Sequence, residues 1–381
     1  MDTHYLLCPD SFKDCLTARE ICSVIAKGIL LGDPQSIVTK APFGDGGEGS
    51  LDALLDHIEG AQLVQVEVAD PLKRPIKANY AMTGNTAYIE MAMASGLQLL
   101  QNHERKAMET TSFGTGQLIA DALEKGARKI YLMVGGSATN DMGTGMAQAL
   151  GYRYYSAGRL LHEGLSGKDL DCIDDFSFHN YWDWQKIKMS VVCDVDNPLT
   201  GHEGATHFYS SQKGSTPEER EVMENGMKRL ATLIREKSGV NISEIKGGGA
   251  AGGLAAGAVA FFNAELIRGT PFMIEATQLE EKIKLASVVI TGEGRMDEQT
   301  WKGKLISHIA EVCSQYSKPL ITICGKIEVE SELLKKKGIE QYYSLDERSR
   351  GESYTPESTS KLLEEVGRGI AESYKLKRNQ K

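Results

Sequence analysis

Short apolar runs alternate with amphipathic stretches along most of the chain. His4–Cys8, Ser36–Lys40, Leu63–Val68, Ile130–Val134, Ile187–Val192, Ala286–Ile290, Lys318–Cys324 and Gln341–Ser344 have the length and continuity of strands. Apolar residues at helical spacing follow several of them. Ile21, Val24, Ile25 and Ile29 come after the capping box Thr17–Glu20. Val222, Met223, Met227, Leu230 and Ile234 follow a second box, Thr216–Glu219, with Pro217 at the first helical position. Leu362, Leu363, Val366 and Ile370 follow Thr355–Pro356. Further helices are expected at Ser50–Ile58, at Met142–Leu150, and from Thr110–Gly116 through about Lys125. The βα rhythm breaks near Gln62, where Ile76–Ala81 and Thr86–Met91 read as a hairpin around Thr83-Gly84-Asn85, and it returns near Leu285. A second domain is therefore expected to begin near Gln62. Tyr155–Tyr181 reads as irregular surface structure, with Trp182 and Trp184 as a small packing patch.

The 381 residues suffice for two domains with sizeable cores. The net charge of −9 argues against a nucleic-acid or anionic-membrane partner, but not against a small anionic substrate held by a few local cations. Seven cysteines without a CxxC pair read as reduced thiols in a cytoplasmic protein. Neither a signal peptide nor a membrane-spanning run is expected. Glycine, at 40 residues, is over-represented, and it gathers in loops that follow strands.

Those loops carry the candidate chemistry. Gly135-Gly136-Ser137-Ala138-Thr139-Asn140-Asp141 follows one strand and opens toward a helix, a setting that suits an anion. Asp10 and Ser11 follow the first strand, with Lys13 just beyond. Gly44-Asp45-Gly46-Gly47-Glu48-Gly49 satisfies GxGxxG with Asp70 downstream, but its two carboxylates would repel a bare pyrophosphate. A hydroxyl-bearing ligand or a metal-bound phosphate fits it better. Asp194 and Asp196 follow another strand and suit a Mg²⁺ ligand paired with a general base, or an Asx turn before Pro198. Gly247–Gly253 repeats GxGxxG without a clear preceding strand, and close packing explains it at least as well. Gly292, Glu293, Gly294, Arg295 and Asp297 follow the Ala286–Ile290 strand, as a loop for nucleotide phosphates and Mg²⁺ would. His202 and His207 fail the HExxH spacing and read as ordinary turn residues. The absence of GxxxxGK[ST] excludes a P-loop kinase.

The ordered set PDSFK (Pro9–Lys13), DGGEG (Asp45–Gly49), TSFGTG (Thr111–Gly116), GGSATND (Gly135–Asp141), CDVDNPL (Cys193–Leu199), GAAGG (Gly249–Gly253) and TGEGRMDEQT (Thr291–Thr300) resembles the glycerate kinase type 1 family nearly end to end. The resemblance implies an α/β fold of two domains: a doubly wound parallel-sheet domain from residues 1–61 and 285–381, and an inserted α/β domain from 62–284, with the site in the cleft between. It also implies transfer of the γ-phosphoryl group of ATP, with Mg²⁺, to a hydroxyl of D-glycerate, the 2-position favoured. The residues fit that chemistry. Ser137, Thr139 and Asn140 can hold the carboxylate, while Asp10, Ser11 and Asp45 can take the hydroxyls. Lys13, Lys213 and Arg295 can supply positive charge, Asp196 or Asp194 can accept the proton, and Asp194 can hold the metal. Gly292–Asp297 is expected to cradle the nucleotide. Two rivals remain open: an NAD-dependent dehydrogenase of a small hydroxy acid, resting on Gly44–Gly49 and Asp70, and a non-catalytic hydroxy-acid-binding protein.

Overall fold

The computed structural model describes residues 2–12, 15–44, 49–55, 57–179, 181–301, 304–349 and 355–379. The chain divides into two compact α/β units. One is formed by Met1–Asp45, Asp52–Ile58 and Thr270–Lys381, the other by Gly46–Leu51 and Glu59–Gly269.

In the unit built from the chain ends, five parallel strands lie in the order Ile339–Ser344, Leu320–Cys324, Val288–Thr291, His4–Leu7, Ile37–Lys40. Counted by occurrence within the unit this is 5-4-3-1-2, a doubly wound order that reverses between its first and third strands. The central strands are buried on both faces, which is why they read as unbroken apolar runs. Residues 270–284, assigned by the strand rhythm to the insertion, cluster with this unit. The helix Leu279–Leu285 buries Leu279 and Ile283, and Lys282 Nζ lies 2.8 Å from His57 Nδ1.

In the second unit a six-stranded sheet runs Glu265–Ile267, Lys188–Val192, Lys129–Met133, Thr86–Glu90, Pro75–Thr83, Gln62–Ala69. The first four strands are parallel, and the hairpin adds two antiparallel strands at one edge. The Tyr155–Tyr181 region is more regular than its composition suggested. Tyr152–Ser156, Arg159–Leu160 and Asp175–Phe178 form a small antiparallel sheet, and Tyr152 stacks on Phe178 at 4.5 Å between centroids. Aromatic side chains supply there the burial that a longer apolar run would otherwise provide. Trp184 packs on Phe262 at 4.4 Å, as the expected patch required. The helix after Asp141 spans only Thr144–Ala149, because Met142 (φ 53°) and Gly143 (φ 73°) are left-handed and delay its start.

The helices Ala18–Gly32 and Pro356–Asn379 cross at unusually close range. A Cβ on Gly28 would sit 2.1 Å from the Glu364 carbonyl oxygen, one on Gly32 2.6 Å from that of Arg368, and one on Gly367 2.7 Å from that of Ile25. In an open helix Gly→Ala gains roughly 1 kcal/mol of helix propensity. At Gly28 the overlap reverses the sign: Gly28→Ala is expected to destabilise the protein by about 1–3 kcal/mol, read as a lower urea midpoint at unchanged slope.

Candidate active site

In the chain-end unit the reversal of strand order brings two loops together. His4–Leu7 and Val288–Thr291 are neighbours, and beyond their carboxyl ends the Asp10 N–H donates to the Gly292 carbonyl at 2.8 Å. The Thr291 hydroxyl donates to the Cys8 carbonyl at 2.8 Å. Open α/β sheets bind ligands at such a switch point. Gly292 is required for steric reasons, since a Cβ there would lie 1.8 Å from the Ile323 carbonyl oxygen. Asp10 Oδ1 accepts from the Ser11 N–H at 2.6 Å, and Glu293 Oε1 accepts from the Thr300 hydroxyl at 2.6 Å. Arg295 is turned toward Glu328 (Nε to Oε2, 2.8 Å), with Asp297 3.7 Å from it. Asp10, Ser11, Gly292 and Glu293 are thus brought to one strand-end cluster. Lys13 and Asp45 lie outside the described residues.

In the second unit the organising element is Gly247–Gly253. The Gly249 N–H donates to the Asn197 carbonyl at 2.9 Å, and the Gly252 carbonyl accepts from the Met142 N–H at 3.0 Å. A Cβ on Gly249 would come 2.3 Å from the Pro198 carbonyl oxygen, and one on Gly252 (φ 65°) 2.1 Å from that of Thr139. The run therefore stitches the Cys193–Leu199 loop to the Ser137–Asp141 loop, both at carboxyl ends of adjacent parallel strands. Close packing is what these glycines do here.

Within the Ser137–Asp141 loop, Thr139, Asn140 and Asp141 are fully buried. Asp141 accepts from the Ser112 N–H and hydroxyl, both at 2.7 Å, and from the Gly143 N–H at 3.1 Å. Burial pushes its carboxyl up against those hydrogen bonds. Asn140 Nδ2 donates to Thr206 Oγ1 at 3.1 Å, while Asn140 Oδ1 and Thr139 Oγ1 have no partner. Lys213 reaches into the same loop. It sits on a short turn, Ser211–Lys213, ended by left-handed Gly214 (φ 83°), which lies against the Arg105 carbonyl. Only 2% exposed, its Nζ lies 2.8 Å from Ser137 Oγ and 2.7 Å from the Thr139 carbonyl. Desolvation pushes its pKa down to about 7, against the attraction of Asp141.

Asp194 and Asp196 are both exposed. Asp194 Oδ1 accepts from the Gly269 N–H at 2.8 Å. Asp196 is clamped by Arg268 and by Lys246, the latter at 3.1 Å. Desolvation raises its carboxyl, but the two cations together outweigh that and hold it below the usual carboxylate range, which makes it a weak base. Among the described residues no group of three or more His, Cys, Asp and Glu side chains is placed to hold a metal. Mg²⁺ takes one or two carboxylates plus substrate phosphates, so the exposed Asp194 carboxylate, oriented by a backbone N–H, fits such an ion.

Three contributors were not singled out from the sequence. Glu90, 2% exposed, accepts from the Gly49 N–H at 3.1 Å and the Leu51 N–H at 3.2 Å, and so anchors the end of the acidic glycine loop. Its signal was an acid closing an otherwise apolar strand. Arg268 donates to the Asp194 carbonyl at 2.9 Å, and the buried Glu224 accepts from the Gly201 N–H at 2.7 Å. Both pairings are made through backbone groups far away in sequence, and nothing in the local pattern marks them.

The comparisons agree with one another. The model of the glycerate kinase family matches residues 5–375. A Halalkalibacterium halodurans protein named glycerate kinase is 38% identical over 375 residues, covering 96% of this chain and 97% of its own. An Escherichia coli protein named glycerate 2-kinase is 38% identical over 357 residues, covering 91% and 93%. The crystal structure of a Salmonella typhimurium LT2 protein assigned as a glycerate kinase 2 superposes with a TM-score of 0.84 at 36% identity, over 100% of both chains.

The stitching by Gly247–Gly253 is directly testable. Gly252→Ala forces a Cβ into the Thr139 carbonyl at a left-handed position. It is expected to destabilise the protein by at least about 2 kcal/mol in urea unfolding.

Proposed function

The chain belongs to the glycerate kinase family, and on that premise we propose that it transfers the γ-phosphoryl group of ATP, with Mg²⁺, to the 2-hydroxyl of D-glycerate in the cytoplasm. The likeness along nearly the whole chain to a protein named glycerate 2-kinase carries this reading and its regiochemistry. The residue chemistry supports it. Phosphoryl transfer needs positioning and charge neutralisation more than covalent help. Gly292, Glu293, Gly294, Arg295 and Asp297 are the nucleotide-binding set. Asp10, Ser11, Asp45, Ser137, Thr139 and Asn140 hold the glycerate carboxylate and hydroxyls. Lys13 and Lys213 are the catalytic cations of this reading. Asp194 is the metal-binding carboxylate, and the ion it holds would neutralise phosphate charge. Asp196, paired with Lys246 and Arg268, serves the charge balance of that loop better than proton abstraction.

Protein incubated with ATP, Mg²⁺ and D-glycerate is expected to yield ADP and 2-phosphoglycerate, identified by the ³¹P spectrum of the product. A 3-phosphoglycerate product would overturn the regiochemistry, and NAD reduction without ADP release would overturn the kinase. Asp194→Asn is expected to raise the Mg²⁺ concentration needed for half-maximal rate at least tenfold while leaving the unfolding midpoint within about 0.5 kcal/mol of wild type, as for an exposed site. An unchanged Mg²⁺ requirement would remove Asp194 as the ligand.

A further inference from the structure

Resting on the kinase reading above, we infer that Lys213 is the proton acceptor of the reaction, reached through the hydroxyl of Ser137. Three observations converge on it. The amine is buried, and among the described residues no carboxylate pairs with it; it bonds Ser137 Oγ and the Thr139 carbonyl. Those distances suit a neutral amine as well as an ammonium: its lone pair can accept the Ser137 O–H while one N–H holds the carbonyl. Ser137 is half-buried, so its hydroxyl links the interior amine to the surface of the loop expected to hold glycerate. Third, Asp196, one of the two acids first considered for this task, is already paired with two cations.

The step balances. The glycerate hydroxyl oxygen forms its bond to the γ-phosphorus while the bond from that phosphorus to the β,γ-bridging oxygen breaks, its electron pair leaving on ADP. The glycerate proton passes to Ser137 Oγ as the Ser137 proton passes to Lys213 Nζ. The resulting ammonium returns its proton through Ser137 to solvent after the product leaves. Desolvation, which brings the lysine down to about 7, gives it the affinity a proton acceptor needs near neutral pH. Asp141 faces it from the Ser137 loop. Arg105 lies against Gly214, and Arg220 reaches the Ser215 carbonyl at 3.5 Å. His207, on the packed helix Ala205–Tyr209, lies 3.9 Å from Glu221.

A lysine that accepts a proton and a lysine that only neutralises charge predict opposite pH limbs. As acceptor, Lys213 must be neutral, so kcat rises with pH through about 7 and levels above it. As a fixed cation it must be charged, and kcat falls through the same range. The full-length protein is assayed with ATP, Mg²⁺ and D-glycerate across pH 5.5–9 as wild type, Lys213→Arg, Lys213→Ala and Ser137→Ala. Expected are a rising limb in the wild type and its loss in Lys213→Arg, with kcat at least about 100-fold lower and the KM for glycerate changed less than threefold. Partial recovery of Lys213→Ala by added methylamine or ethylamine, in proportion to the free-base concentration, and a kcat at least about tenfold lower in Ser137→Ala, which breaks the relay, complete the pattern. Thermal unfolding checks that each variant folds. A falling limb, a rising limb that persists in Lys213→Arg, or Lys213→Arg activity within tenfold of wild type would each overturn the inference while leaving the kinase reading intact. A wild type without glycerate kinase activity would overturn that reading instead.

Discussion

The second unit depends on backbones that approach too closely for side chains. Gly247–Gly253 lies between the Ser137–Asp141 and Cys193–Leu199 loops, and its hydrogen bonds to both exist only because no Cβ stands in the way. A strand end normally leaves N–H and C=O groups for water or for a ligand. Here a glycine run takes up part of that hydrogen-bonding capacity. It fixes two loops, distant in sequence, into one surface at the carboxyl ends of neighbouring parallel strands. A loop held by backbone bonds is stiffer than one held by side-chain contacts, and phosphoryl transfer depends on placement above all.

The chain-end unit solves the same problem by topology. Its strand order reverses between His4–Leu7 and Val288–Thr291, so the loops that follow diverge in chain direction while their first residues remain bonded, Asp10 to Gly292 and Thr291 to Cys8. Gly292 again permits a backbone approach, this time to Ile323. The high glycine content is thus a packing requirement concentrated at strand ends, and the glycine-rich crossing of Ala18–Gly32 with Pro356–Asn379 shows the same economy applied to two helices.

The strands and long helices were legible because their signals are local. Apolar runs and capping boxes need no partner to be recognised, and both predicted boxes form, Thr17 with Glu20 and Thr216 with Glu219. The order of motifs gave the family as well. Less legible was everything whose cause lies elsewhere in the chain. The sheet through Tyr152–Phe178 depends on aromatic contacts across strands, and the late start of the helix at Thr144 on two left-handed residues. Glu90 and Glu224 look like ordinary acids until the backbone N–H groups they hold are seen. Asp194 and Asp196 read as an equivalent pair, yet one bonds a backbone N–H and the other two cations.

Lys213 shows what burial adds to a motif. From the sequence it is one cation among 43 lysines and arginines, picked out only by the helix start that follows it. In the fold it is dry, held by a left-handed glycine turn and bonded to a hydroxyl and a carbonyl rather than to an acid. Folding alone gives no reason to keep an amine there, since a buried cation without a paired carboxylate works against stability. An apolar side chain of similar length would fill the space without that penalty. The arrangement makes physical sense where the amine does something an apolar group cannot. Two buried polar atoms of the loop that Lys213 reaches, Asn140 Oδ1 and the Thr139 hydroxyl, likewise lack partners among the described residues. A buried amine beside two unpartnered polar atoms is a local cost in stability, of the kind that functional sites carry more often than structural cores do.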